Sequence, residues 1–415
     1  MKILVRGPAL TRTGYGEHCR FVLRALRQVE DLDIYLIPVN WGQSSWVWEN
    51  SEERQWLDEI IQKTAIYGQQ GGQYDMSVQV TIPNEWQRMA PVNIGVTAGI
   101  ETTKVAPVWL QKCNEMDKIV TISEHSKQGF LNTVYEGIDQ RTNQKVMLKN
   151  VKDVDIVHYP VKKHEKLPDL ELDLDTKFNF LTVAQWGPRK NIHNTIKWFI
   201  EEFIDNPDVG LVVKTFAKGG CILDRNAIEK ELASFIKKYD DRKCKIYFMH
   251  GDLSDEEMHS LYNHKSINAL VSLTHGEGFG LPLFEAAYSG LPIVATDWSG
   301  HLDFLYKPTK DKKGKEKLKP HFARVDFDMQ PVPQHAVWDG VVQKDSMWAN
   351  PQQGSYKMRL REVYKDYSRF KSQADKLQKW ICENFEEGKQ LQCLGDSILS
   401  MIKSQEDIES DMVIL

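Results

Sequence analysis

Residues 274–300 read THGEGFGLPLFEAAYSGLPIVATDWSG. The apolar run Ile267–Leu273 before them predicts a buried strand. The turn Gly276-Glu277-Gly278-Phe279-Gly280 needs the backbone freedom of glycine. Pro282 suits a first helical turn, Leu283–Tyr288 predicts a helix, and Ser289-Gly290 stops it. Leu291–Ala295 supplies the next strand. In this strand, glycine loop, helix, strand unit, the loop amides and the helix N-terminus form an anion site suited to a phosphate. Glu277 in the loop and Glu285 in the helix flank that site, with seven residues between them. Carboxylates beside a phosphate site repel it, so the ligand should also carry hydroxyls that donate to them. A nucleotide-sugar does, with a ribose on one side of its diphosphate and the transferred sugar on the other. The plain alternative is a βαβ turn with two surface acids.

The string EGFGLPLFEAAYSGLPIVATDWSG closely resembles the E-x7-E signature of the family 4 retaining glycosyltransferases. The resemblance implies an α/β protein of the GT-B fold: two Rossmann-like domains facing across a cleft, with the C-terminal helix returning to the first domain. It implies that Glu277 meets hydroxyls of the donor sugar and Glu285 holds the ribose. The backbone of Gly278, Phe279, Gly280 and Leu281 would line the sugar and diphosphate. Gln185-Trp186-Gly187-Pro188-Arg189-Lys190-Asn191 is also similar to the family, whose lysine, here Lys190, neutralises the departing diphosphate. Family members often supply an arginine earlier in that loop; here the second cation is either Arg189 or Lys214. Lys214 ends the strand Val209–Val213, at the sheet edge where ligands collect. The base would lie against Met249–Leu253, with Gly251 and Leu253 as donor contacts.

Composition sets the bounds. A chain of 415 residues suggests two or three domains, and the boundaries expected are 1–165, 166–385 and a final segment 386–415. The net charge of −5 gives no global basic field for nucleic acid or membrane. No apolar run approaches the ~20 residues of a membrane span, and MKILVRGPAL reads as a first strand rather than a signal peptide. Six scattered cysteines without a C-x-x-C pair argue against a zinc site and a disulfide framework. The expectation is a cytoplasmic protein with free thiols.

Lys2–Arg6 followed by Thr11–Gly16 and the helix Glu17–Val29 is a Rossmann opening. Family resemblance brings Gly14 and Gly16 toward the donor phosphates. Asn40–Asn50 holds Trp41, Trp46 and Trp48 in a polar setting; aromatic rings pack on sugars or stack on bases, so these are acceptor candidates, with core packing as the commoner fate of tryptophan. Members of the family often carry a cleft histidine near 98–103; this chain lacks one, and Glu101 is the substitute candidate. His125 is read as structural. Pro160–Lys177 reads as the interdomain linker. Its Asp173 and Asp175 lack converging acids, so no metal site is expected there. Lys307–Arg324 reads as an inserted, solvated lysine-rich loop, or as an acceptor loop for a polyanion such as DNA. Gln405–Leu415 is read as a frayed acidic tail.

The function expected is retaining transfer of a hexose-type sugar from a nucleotide-diphosphate-sugar to an acceptor hydroxyl. No cofactor beyond that co-substrate and no metal are expected. Hydroxymethylated DNA bases, lipid-linked sugars, polysaccharide ends and protein side chains are all open as acceptors. The competing readings are a sugar-nucleotide epimerase on the same fold and a non-catalytic module that binds nucleotide-sugar or nucleic acid.

Overall fold

The computed structural model describes residues 1–138, 141, 143–310 and 313–410, with side chains described through Ile402. The expected tail at 405–415 lies outside the residues whose side chains are described. The chain divides into two compact units. One comprises Met1–Pro160, Val332–Ser346 and the segment from Glu387 onward; the other comprises Val161–Pro331 and Met347–Glu386. Residues 332–346, assigned by sequence to the second domain, thus group with the first unit.

The first unit begins with β1 (Lys2–Gly7), α1 (Gly14–Arg27), β2 (Asp33–Pro38), α2 (Glu52–Gln69) and β3 (Met76–Val80). It continues with β4 (Val92–Val96), α3 (Pro107–Glu115), β5 (Lys118–Thr121) and α4 (Glu124–Asn132). A hairpin, β6 (Val134–Ile138) and β7 (Lys145–Lys149), precedes β8 (Val154–Ile156). The sheet is parallel, in the order β2-β1-β3-β4-β5-β8. Its strands are largely apolar, as parallel strands covered on both faces are, with Ser77, Gln79, Asn93 and Thr121 among the buried polar exceptions. The helix α1 starts three residues earlier than the sequence pattern suggests because Thr13 caps it, its side chain accepting from Gly16 N.

The second unit repeats the plan. It runs β9 (Phe178–Gln185), α5 (Ile192–Phe203), β10 (Val209–Phe216), α6 (Ile222–Ile236), β11 (Lys245–Met249) and α7 (Asp255–Tyr262). It then runs β12 (Ala269–Ser272), α8 (Leu281–Tyr288), β13 (Ile293–Thr296) and the short α9 (Leu302–Leu305). The parallel sheet order is β11-β10-β9-β12-β13 and then β16 (Ala323–Val325). Helix α5 buries Ile192, Ile196, Phe199, Ile200 and Phe203, one face of a 3.6-residue period, against Phe180, Leu211 and Val213. Each such side chain contributes about 1.5–3 kcal/mol by leaving water.

The lysine-rich stretch is not a loop. It folds as a hairpin of β14 (Tyr306–Lys310) and β15 (Glu316–Pro320). On β15 Lys317 and Lys319 flank Leu318, a period of two that can pair as a strand even when most of its side chains stay wet. A second hairpin joins β17 (Phe327–Pro331) to β18 (Met347–Pro351). Helices α10 (Gln353–Lys365) and α11 (Tyr367–Asn384) complete the unit. The last helix, α12 (Glu387–Ser410), belongs to the first unit and packs on α1. Leu391, Leu394 and Ile398 are its buried face, and Ser397 Oγ donates to Asp155 at 2.7 Å.

Candidate functional site

The glycine loop of the second unit sits between β12 and α8. Gly280 caps α8 with φ of +93°, a conformation that side-chain-bearing residues rarely adopt. Strands β9 and β12 are neighbours, so the loops after them meet. His275 N donates to Arg189 O at 2.9 Å, and the Arg189 guanidinium donates to Gly276 O at 2.7 Å. Asn191, at φ of +54°, turns the chain from Lys190 into α5; asparagine tolerates this left-handed region better than most residues.

Three charged groups converge there. Glu277 accepts from Lys190 Nζ at 2.5 Å and from Arg189 Nη1 at 3.1 Å. The carboxylate is buried, which alone would raise its pKa; Lys190 and Arg189 overcome this and hold it at about 2. The pair of cations and the carboxylate therefore stand charged together at neutral pH.

Two residues behind Glu277 had no sequence signal. Ser299 has φ of +91° and its Oγ accepts from Glu277 N at 2.9 Å. A non-glycine residue there costs about 1–3 kcal/mol of strain, offset in part by that hydrogen bond. His301, fully buried, donates from Nε2 to Thr296 O at 2.7 Å, and burial holds its pKa below the ordinary histidine value. Gly300 N donates to Glu277 O at 2.9 Å. A Cβ on Gly300 would lie 1.9 Å from Gly278 O, so Gly300→Ala must push the loop aside. It should cost about 1–3 kcal/mol, as overpacking does, and lower the thermal midpoint by several degrees in a calorimetric scan.

Glu285 is not part of this cluster. It accepts from Tyr262 Oη at 2.9 Å, beside a small pocket that Lys162, His164 and His259 also line. Burial, more than the neighbouring Glu285, keeps Tyr262 protonated far above the ordinary tyrosine range, so it is a standing donor to the carboxylate. Tyr262 was not singled out in the sequence because it lies 23 residues from Glu285. Phe279 turns its ring into the core against Phe284 and Phe304, leaving only its backbone to the loop. Lys214 is buried and donates from Nζ to Gly251 O; burial lowers its pKa. Of the two candidates for a second cation, Arg189 is the one at Glu277, while Lys214 stands with Gly251, whose φ is +109°. Leu253 lies in the turn that leads to α7.

The first unit brings together a different set. Gly16 lies so close to Thr11 that a Cβ would fall 2.0 Å from Thr11 O, and Gly14 begins α1. Tyr15 between them donates or accepts with Thr97 Oγ1 at 2.8 Å, at the C-terminal end of β4. Trp41 lies over Tyr15 with ring centroids 4.3 Å apart. Burial first, and then the charge of Glu101, raises the Tyr15 pKa. Trp46 bridges to Thr11 and Trp48 lies 5.8 Å from the Arg12 guanidinium, yet both indoles are exposed, at 52% and 76%. Asp173 and Asp175 are exposed, and among the described residues no group of three or more His, Cys, Asp or Glu could hold a metal ion.

Comparison with known proteins agrees on the fold and on the family of the middle segment. Residues 165–310 match the family model of glycosyl transferases group 1. Over 119 residues the chain is 30% identical to the serotype-specific mannosyltransferase WbdA of Escherichia coli, covering 29% of this chain and 13% of the relative. The chain thus spans a small part of the length of the curated relatives it matches. Among solved structures, sucrose-phosphate synthase from Thermosynechococcus elongatus superposes with a TM-score of 0.59 at 13% identity, covering 99% of this chain and all of that one. Anabaena HepE, in complex with UDP and glucose, gives 0.58 at 12% identity over 97% of this chain and all of that one. The lipopolysaccharide outer core galactosyltransferase WaaB gives 0.53 at 12% identity, with the same coverage. These likenesses agree with the two Rossmann-like units described above.

Proposed function

We propose that this chain is a retaining glycosyltransferase that moves a hexose from a nucleotide-diphosphate-sugar to an acceptor hydroxyl. The observation that carries the reading is Glu277 held between Lys190 and Arg189 at the loop that opens α8. The donor binds on the second unit. Its diphosphate takes the loop amides and the helix N-terminus, and draws Lys190 and Arg189 from Glu277. Glu277, relieved of its cations, accepts hydroxyls of the sugar. Glu285, oriented by Tyr262, accepts from the ribose, and Gly251 and Leu253 meet the base. The acceptor contacts lie on the first unit: Trp41 beside Tyr15, Glu101, and Trp46 and Trp48 at its exposed edge. In the transfer step the bond from the anomeric carbon to the phosphate oxygen breaks and its electron pair leaves with the diphosphate. The acceptor oxygen bonds to the same face of that carbon, and its proton passes to the leaving phosphate. Lys190 and the helix dipole stabilise the charge that develops on the leaving group. No metal enters this scheme.

The match to a mannosyltransferase and the likeness to a protein solved with UDP and glucose make mannose and glucose the first sugars to try. A hydroxymethylated base in DNA is the first acceptor. A cytoplasmic location is part of this reading; among the described residues no helix is long and apolar enough to cross a membrane.

The test is nucleotide release from UDP-, GDP- and ADP-sugars, with and without hydroxymethylcytosine DNA, for wild type and Glu285→Ala. One donor should be turned over, and the variant should raise its KM about tenfold or more, as loss of a charged hydrogen bond to a ribose would. Binding without turnover would favour a nucleotide-sugar binding module. Conversion of the sugar with no acceptor present would favour the epimerase.

A further inference from the structure

The turn after β11 carries two charges that the fold leaves short of partners. Lys214 lies near the end of β10, in register with Met249, the last residue of β11. This is the C-terminal edge of the parallel sheet, where ligands collect. A lysine ammonium has more N–H donors than one carbonyl can use. Lys214 gives one to Gly251 O, and among the described residues its Nζ has no other hydrogen bond. The side chain is buried, and burial lowers its pKa against the pull of Asp252. The carbonyl that Lys214 holds belongs to the peptide bond into Asp252. The Asp252 carboxylate lies against Gly220, where an added Cβ would fall 2.9 Å from Oδ2 and 3.3 Å from Oδ1. Among the described residues that carboxylate accepts no hydrogen bond.

Other residues already fasten this turn. Asp224 accepts from Ala217 N at 2.9 Å, from Lys218 N at 3.1 Å and from His250 Nε2 at 3.0 Å. The loop after β10 is thereby tied to the turn after β11 without help from Asp252. The turn itself is open: Gly251 has φ of +109°, and a Cβ added there would meet nothing within 4 Å. A donor and an acceptor, each with capacity unused, therefore meet at the Gly251–Asp252 peptide of an open turn. Such a pair matches a carbonyl beside an N–H. Uracil presents O4 next to N3–H, and guanine presents O6 next to N1–H. Cytosine and adenine reverse the order, with an amino group next to an unprotonated ring nitrogen. Against either of those, the ammonium would face N–H groups and the carboxylate would face a lone pair, and polar groups left unpaired on binding cost affinity. A phosphate would satisfy the ammonium but be repelled by Asp252.

We propose that Lys214 and Asp252 read the base of the donor, Lys214 donating to its oxo group and Asp252 accepting from the adjoining ring N–H. The donor is then a uridine or guanosine diphosphate sugar, not a cytidine or adenosine one. This rests on the donor reading above, which sets the base against Gly251 and Leu253. The experiment is calorimetric titration of the full chain with UDP, CDP, GDP and ADP. UDP and CDP differ only at this edge of the ring; GDP and ADP are the purine counterparts, and the tighter pair tells uracil from guanine. Within that pair the oxo base should bind about 10–100-fold more tightly than the amino base, the range for hydrogen bonds to charged groups. Lys214→Met, close in volume, should cut the preference to about threefold or less. Asp252→Ala, at an exposed position, should shrink it by at least about threefold. Circular dichroism checks the fold of Lys214→Met, and Asp252→Ala carries the test if that variant unfolds. Equal binding within both pairs, or a preference unchanged in the folded variants, overturns the proposal. So does a uniform loss of all four ligands in Lys214→Met, which would make the lysine a phosphate contact. If none of the four binds wild type, the donor reading falls together with the proposal. Nucleotide release from sugar donors is scored separately. A base preference without any turnover would sink the transferase reading and leave the base readout standing.

Discussion

Lys190→Ala is expected to lower the rate of nucleotide release about 10²–10³-fold, the loss seen when a preorganised charge donor is removed from a developing oxyanion. Lys190 Nζ is the shorter of the two contacts to Glu277, at 2.5 Å against 3.1 Å for Arg189. Its side chain is 18% exposed and can swing to a phosphate without leaving the loop. Arg189 is tied more firmly, since its guanidinium also donates to Gly276 O and its carbonyl accepts from His275 N. The two cations should therefore separate in their effects. Lys190→Ala should act mainly on kcat, with a smaller fall in the unfolding midpoint, because Glu277 loses its nearer cation but keeps Arg189. Arg189→Ala should lower both, because it unfastens the loops after β9 and β12. Steady-state release from the best donor and urea titrations of each variant measure the split. Unchanged release by Lys190→Ala would reduce that lysine to a counter-ion of Glu277.

The strings at 185–191 and 274–300 were legible because each is local: a strand, a turn with fixed backbone demands, and a helix in unbroken sequence. Their meeting follows from adjacency of β9 and β12, which the βαβ pattern implies. What was illegible depends on contacts far apart in sequence or on unusual backbone. Nothing in the sequence marks Ser299 as a left-handed serine bonded to Glu277 N, or Tyr262 as the partner of Glu285. The sequence places Trp41 only as an aromatic in a polar stretch; its partner Tyr15 lies in the first turn of α1, before β2. Composition alone reads 306–320 as a loop because lysines dominate it; the antiparallel pairing of β14 with β15 has no signal in that composition. The hairpin β6–β7 was missed altogether. Among its described residues Tyr135 and Leu148 pack against the core that holds Trp109, too short an apolar signal to stand out. Residues 332–346 join the first unit through side chains such as Val341, which packs with Ile100 and Trp109, a tertiary choice that local sequence does not encode.

Glu277→Ala is expected to destabilise the protein by about 3–5 kcal/mol, the cost of breaking a buried ion pair from one side. Glu277 has a 9% exposed side chain, and its loss removes the carboxylate that Lys190 and Arg189 share. At about 2–4 °C per kcal/mol for a unit of this size, the thermal midpoint should fall by roughly 10 °C. Acid titration isolates the charge from the packing. The carboxyl pKa is depressed to about 2 from an ordinary value of 4.5, so its contribution is fully present above pH 4.5 and is lost as pH falls toward 2. That contribution is on the order of 3 kcal/mol. Wild type should lose it over this window in urea titrations, and Glu277→Gln, starting lower, should show a correspondingly flatter decline. Donor binding supplies the second arm. A nucleotide diphosphate brings anionic charge to the same two cations, so UDP should raise the midpoint of Glu277→Ala more than that of wild type. Equal shifts would mean that Lys190 and Arg189 do not receive the diphosphate, and the ion pair would be a structural clamp alone.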